Sequence, residues 1–176
     1  MMNNRKKERG YRQTSGRWNS DVQEPEEPSE IPRRKPARDC ALTLLEYRDR
    51  TEQEMRGKLK EREYGAEEIE EAIAFLKEYR YIDDGEYARK YIRTHSSRKS
   101  VRRIRGELGQ KGIEGELIEA GLAEEPVDEE TQIAAWIRKK GYTPGEYLEA
   151  DQYRKLVAGL ARRGYSFDTI RRVMDN

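Results

Sequence analysis

Cysteine and histidine are almost absent, with one of each, Cys40 and His95. A single thiol excludes an internal disulfide framework, and the two residues together cannot supply the ligand set of a structural zinc. A reducing, cytoplasmic setting is the expectation. Long apolar runs are also missing: no stretch approaches the roughly 20 residues of a membrane span. The basic N-terminal segment runs into prolines and glutamates where a secretory signal would turn hydrophobic. No phosphate-cradling P-loop pattern, no Gly-x-Gly-x-x-Gly after a strand, no His-Glu-x-x-His and no Gly-x-Ser-x-Gly occurs. The common catalytic routes are therefore closed, and neither a cofactor nor a metal is expected. An excess of one charge is lacking too, since 36 Lys and Arg balance 35 Asp and Glu to a net +1. Any attraction to a polyanion must come from uneven placement of charge along the chain.

What is present divides near residue 36. Residues 1–36 hold most of the prolines, show no apolar periodicity, and carry a basic block (Arg5, Lys6, Lys7, Arg9, Arg12, Arg17) before an acidic one (Asp21, Glu24, Glu26, Glu27, Glu30). This composition predicts a disordered charged tail. From Ala37 onward helix formers dominate, interrupted by Pro126 and Pro144, and no period-2 run of β-branched residues suggests a sheet. With 34% hydrophobic residues and a mean hydropathy of -1.17, one thick core is not expected.

A repeat runs through the helical part. With Leu59, Leu108 and Leu160 as anchors, four residues earlier stand Met55, Ile104 and Leu156. Five residues later stand Tyr64, Ile113 and Tyr165; ten later, Ile69, Ile118 and Ile170; fourteen later, Ile73, Leu122 and Met174. All are apolar or aromatic. The four-residue steps place each pair on one helical face, and the ten-residue span between pairs leaves room for a turn. A further amphipathic stretch precedes each anchor, carrying Ala41, Leu44 and Leu45, then Ala88, Tyr91 and Ile92, then Ala134 and Ile137. The pattern predicts an all-α fold of three tandem three-helix repeats in an elongated, curved array, at 37–82, 83–125 and 126–176. Each repeat is expected to need its neighbours to cover its apolar face. Gly112, Gly141 and Gly164 follow basic residues as helix-ending glycines do, and Thr51 with Glu54 forms a capping box.

Several residues invite a chemical reading. Asp83 and Asp84 precede an amphipathic helix with Glu86 in its first turn, and helix capping explains them better than metal ligation. His95 falls where a helix should end in a polar loop, and suits a cap or contact residue better than a general base. Cys40, beside Ala41 and Leu42 at a helix start, reads as a small buried hydrophobe.

Charge is segregated. Residues 93–111 carry seven bases against Glu107 alone, whereas 61–86 carry ten acids against three bases. From Trp136 onward bases again outnumber acids. With a single local acid to pair with, the cations of 93–111 are expected to form a binding surface, in the sequence-independent, salt-sensitive manner of phosphate contacts. The candidates are Arg93, Arg98, Lys99, Arg102, Arg103, Arg105 and Lys111, followed by Arg138, Lys139, Lys140, Arg154, Lys155, Arg162 and Arg163.

The stretches "LLEYRDRTEQEMRGKLKEREYG" (44–65), "YIDDGEYARKYIR" (81–93) and "RKSVRRIRGELGQKGI" (98–113) resemble the RecX regulators of bacterial recombination. The resemblance extends across roughly 37–176. It implies three tandem three-helix repeats, no catalytic centre, and a role on the RecA–single-stranded DNA filament, restraining its ATPase, strand-exchange and coprotease activities. The implied partners are RecA and single-stranded DNA, with duplex DNA a further possibility; a monomer and no membrane association are expected. Two positions depart from the family pattern: Arg80 stands where a glycine is usual before Tyr-Ile-Asp-Asp, and Ser100-Val101 where Gly-Pro is usual. Two other readings stay open. One is a stand-alone helical DNA-binding protein, since basic three-helix units also describe helix-turn-helix readers. The other is a metal-dependent nuclease built on the acidic run.

Overall fold

Side chains spaced three and four apart wind the chain into nine helices among the described residues, 34–175, of the computed structural model. In order they are α1 (Ala37–Tyr47), α2 (Glu52–Glu61), α3 (Ala66–Glu78), α4 (Asp84–His95), α5 (Val101–Gln110), α6 (Gly115–Glu124), α7 (Glu129–Lys139), α8 (Ala150–Ala161) and α9 (Phe167–Met174). No strand occurs among the described residues. The tail expected to be disordered lies, for residues 1–33, outside them.

Short polar residues set where the helices begin. Thr51, Asp83, Ser100, Asp128 and Ser166 each accept the N–H of the third helical residue with a side-chain oxygen, and Glu54 returns the bond to complete the capping box on Thr51. Each such cap contributes about 1 kcal/mol. Gly112, Gly141 and Gly164 end their helices in the left-handed region, with φ of +81°, +87° and +92°.

The helices assemble in threes, and within each triplet the first packs against the third. Of the fifteen repeat positions, fourteen are buried and Leu122 is half-buried. They form three separate apolar clusters: one around Met55, Leu59, Ile73 and Leu76, one around Ile92, Ile104 and Leu108, one around Ile137, Leu156 and Leu160. Here the structure corrects an expectation. The triplets do not complete one another's apolar faces; each closes its own core, because the second and third helices bring two anchor pairs against the buried stripe of the first.

Neighbouring triplets meet instead through hydrogen bonds that recur at both junctions. The two buried polar residues among the described ones are Thr51 and Ser100, each the cap of a second helix and each eight residues before an anchor leucine. Thr51 Oγ1 donates to the carbonyl of Lys111 at 2.6 Å, and Ser100 Oγ donates to that of Arg163 at 2.9 Å. The hydroxyl thus caps its own helix and binds the end of the second helix in the next triplet. Beside it, the Glu52 N–H donates to Asp84 at 2.9 Å and the Val101 N–H donates to Glu129 at 2.9 Å. Asp84 and Glu129 are the first residues of α4 and α7.

Gly112 and Gly164 sit at these junctions. A Cβ on Gly112 would fall 1.8 Å from Gln53 Oε1, and one on Gly164 2.6 Å from Ser100 Oγ. The equivalent residue of the first triplet is Glu63, which also adopts positive φ, at 63°. No earlier triplet precedes it among the described residues, so a side chain is tolerated there. Arg80, at the position where the resemblance noted above implies a glycine, also has a positive φ, of 55°, a conformation that glycine adopts without strain.

Backbone strain and steric overlap therefore act together at two glycines and strain alone at Arg80. Gly112→Ala and Gly164→Ala should each lower stability by about 2–4 kcal/mol. Arg80→Gly should raise it by up to about 1 kcal/mol, since the exposed Arg80–Asp83 pair that it removes is worth little. Urea unfolding followed by far-UV circular dichroism checks both signs.

Candidate interaction surface

The acidic pair at the start of α4 is structural. Asp83 accepts the Glu86 N–H at 2.9 Å, and this hydrogen bond holds its carboxyl below the usual range against the opposing effect of burial. Asp84, half-buried, is pushed up by burial, partly offset by the Glu52 N–H that it accepts across the junction. Both line a cleft of about 620 Å³ with Glu52, Arg56, Lys77 and Glu114, where acids and bases alternate. Among the described residues no group of three or more His, Cys, Asp or Glu is placed to hold a metal ion. Cys40 is buried as expected, with Arg62 Nη1 donating to its sulfur at 3.2 Å. His95 is the last residue of α4 and not part of a loop; its ring meets Tyr91 edge-on at 4.3 Å.

The basic run 93–111 is not as short of partners as its local sequence predicts. Helix packing brings acids from outside the run. Arg93 pairs with Glu125 at 2.5 Å, Arg105 with Glu119 at 2.7 Å, and Lys111 with Glu54 across the junction at 2.8 Å. Glu107 alone takes Lys99 at 2.6 Å and Arg103 at 2.9 Å, and accepts the hydroxyl of Tyr91. The reason is tertiary: α6 runs beside α5, and Glu125 follows α6 beside α4, so residues distant in sequence face these cations. Arg98 and Arg102, both exposed, make no ion pair among the described residues.

In the third triplet, Arg138, Lys139 and Arg162 are exposed and make no ion pair among the described residues. Arg154 pairs with Asp151 at 2.9 Å, with Lys155 behind it at 3.8 Å. Lys140 and Arg163 lie over the ring of Trp136, 5.6 Å and 4.9 Å from its centroid. These two border a cleft of about 390 Å³ between α7 and α8. The structure thus sorts the fourteen candidates into three groups: seven in ion pairs, Lys140 and Arg163 over the Trp136 ring, and an exposed set with neither contact, Arg98, Arg102, Arg138, Lys139 and Arg162. The sequence reading missed Trp136 and the junction hydroxyls of Thr51 and Ser100. The shared offset of the two hydroxyls from the anchors was the available signal.

The chain matches family models over most of its length. Residues 37–76 match the first three-helix domain of RecX, 83–122 the second and 128–174 the third. The regulatory protein RecX of Vibrio vulnificus is 37% identical over 135 residues, covering 76% of this chain and 88% of that protein. That of Vibrio parahaemolyticus is 39% identical over 137 residues, covering 76% and 86%. The crystal structure of RecX from Lactobacillus salivarius superposes with a TM-score of 0.66 at 25% identity, covering 78% of this chain and 91% of that one. A second RecX crystal structure gives 0.66 at 29% identity, covering 80% and 70%. No helix among the described residues is long and apolar enough to cross a membrane.

The network at Glu107 has a measurable signature. Burial raises its carboxyl, but hydrogen bonds from Lys99, Tyr91 and Arg103 outweigh this and hold it at about 2 against an ordinary 4.5. A depressed carboxyl contributes stability that is present above the unfolded value and lost as pH falls through the folded one. The contribution is on the order of 2 kcal/mol after allowance for partial exposure. Glu107→Gln should therefore be less stable at neutral pH, and should lose less stability than the parent between about pH 5 and pH 2. Urea midpoints measured across that range test the difference.

Proposed function

The chain belongs to the RecX family, a family of regulatory proteins, and from that premise we propose that it acts without catalysis on the RecA–single-stranded DNA filament in the cytoplasm. In this reading it restrains the ATPase, strand-exchange and coprotease activities of RecA by occupying the filament. The carrying observation is the exposed set of cations without ion pairs among the described residues, spread over the second and third triplets. Cations already held by Glu54, Glu107, Glu119 and Glu125 would have to break those pairs to reach a phosphate. Arg98, Arg102, Arg138, Lys139 and Arg162 would not. They are the first contacts assigned to DNA or to acidic parts of RecA.

The acidic face of α3 supports the other half of the reading. Glu67, Glu71 and Glu78 are exposed and make no ion pair among the described residues, and they suit a basic protein surface. Several modest contacts on linked modules raise effective concentration without any single strong one. A stand-alone duplex reader would gather its cations on one recognition helix; their distribution over two triplets favours an extended polymer instead.

The test is RecA ATPase on single-stranded DNA with substoichiometric protein. Arg98→Ala with Arg102→Ala should raise the concentration for half-inhibition about 3–10-fold and lower its salt dependence. Arg105→Ala, which removes a cation already paired with Glu119, should change it less than about twofold. Far-UV helicity should stay constant in all of these. Unchanged inhibition by the double variant would remove the assignment.

A further inference from the structure

The second and third triplets use equivalent positions in two different ways. Asp84 and Glu129 open α4 and α7 and make the same junction bond, which fixes the register between these helices. In that register Tyr91 corresponds to Trp136 and His95 to Lys140. The anchors Leu108 and Leu160 likewise match Arg103 to Lys155 and Glu107 to Gly159. In the second triplet, Glu107 accepts the Tyr91 hydroxyl and pairs with Lys99 and Arg103. In the third, the carboxylate is gone. A Cβ on Gly159 would lie 2.8 Å from Cη2 of Trp136, so the glycine lets the indole lie against the α8 backbone. This is the packing reason for a residue that costs a helix interior about 1 kcal/mol.

Replacing the acid by glycine leaves both space and charge. The cleft holds about 390 Å³, and Lys140, Lys155, Arg162 and Arg163 line it with no carboxylate in its wall; outside it Asp151 lies 3.8 Å from Lys155, a solvent-exposed pair worth little, and is held closer by Arg154 at 2.9 Å. Arg163 donates to the Gly159 carbonyl at 3.1 Å and lies over the indole, so it positions Trp136. Lys155 in α8 and Arg162, the residue that follows its end, are one helical turn either side of Gly159 on the same face, and both are exposed.

We propose that this groove is a subsite for one nucleotide of single-stranded DNA, its base against Trp136 and its phosphate on Lys155 and Arg162. The inference deepens the DNA contact of the proposed function and adds that the chain holds single strands without RecA. The aromatic wall selects the ligand. Cations alone serve any polyanion, but an indole gains only from a base that is not already stacked in a duplex. An acidic protein segment would use the cations and leave Trp136 without a role.

The full-length protein carrying Trp18→Phe makes Trp136 the sole indole reporter. Titration with oligothymidylate, in the absence of RecA, should quench its emission saturably. A hairpin duplex of equal charge should bind about tenfold more weakly. Lys155→Glu with Arg162→Glu, both at exposed positions, should weaken the single strand by tenfold or more with unchanged helicity. Absence of quenching, equal binding of the duplex, or equal competition by polyglutamate would overturn the proposal, the last assigning the cleft to an acidic protein. Because the titration contains no RecA, it can fail while inhibition of RecA ATPase persists, and the reverse.

Discussion

Two buried hydroxyls set the relation between the triplets. Each triplet encloses its own apolar cluster, so burial of oil does not dictate how one triplet sits on the next. Thr51 and Ser100 do this by caps that face two ways: the oxygen accepts from its own first turn while its proton goes to the last carbonyls of a helix in the following triplet. A hydroxyl can serve both because it is donor and acceptor at once. At each junction a carboxylate from the next triplet takes a further N–H of the same helix start. Helix ends normally exposed to water thereby find partners in the adjacent triplet, and among the described residues no buried side-chain polar atom is left without one.

Such a junction is directional but modest. A neutral hydrogen bond contributes roughly 0.5–1.5 kcal/mol net, whereas burial of one leucine contributes about 1.5–3 kcal/mol. Each triplet is consequently held together more strongly than it is held to its neighbour. Under the proposed function this ordering of energies suits a protein that meets a polymer through several linked modules, since each module keeps its own fold whatever the others engage.

Much of this was legible in the sequence because it is periodic. The apolar positions around Leu59, Leu108 and Leu160 report a helical face directly, and burial follows from that face alone. Caps such as Asp83 and the Thr51–Glu54 pair are local in the chain and were equally readable. The pairing of charge was not. Glu54, Glu119 and Glu125 reach Lys111, Arg105 and Arg93 through tertiary packing, and a count along 93–111 has no access to it. Thr51 was visible as a cap and Ser100 was not, and the second bond of each crosses about sixty residues. The repeat offset alone hints at it.

The same geometry explains where the glycines stand. A helix that ends at a junction needs positive φ to turn and an empty Cβ site to admit the neighbouring cap. Gly112 and Gly164 meet both demands; Glu63 meets the first at a cost in strain and could not meet the second. At the other end, Glu149 precedes α8 as its cap and donates its N–H to Gln152, and the position eight before Leu160 is Gln152 itself, so no small hydroxyl occupies the donor place. The junction therefore has a donor half in the first two triplets and an acceptor half in the last two. Three triplets joined in this manner form two such interfaces, and neither outer triplet carries the residues that would build a third in the same way.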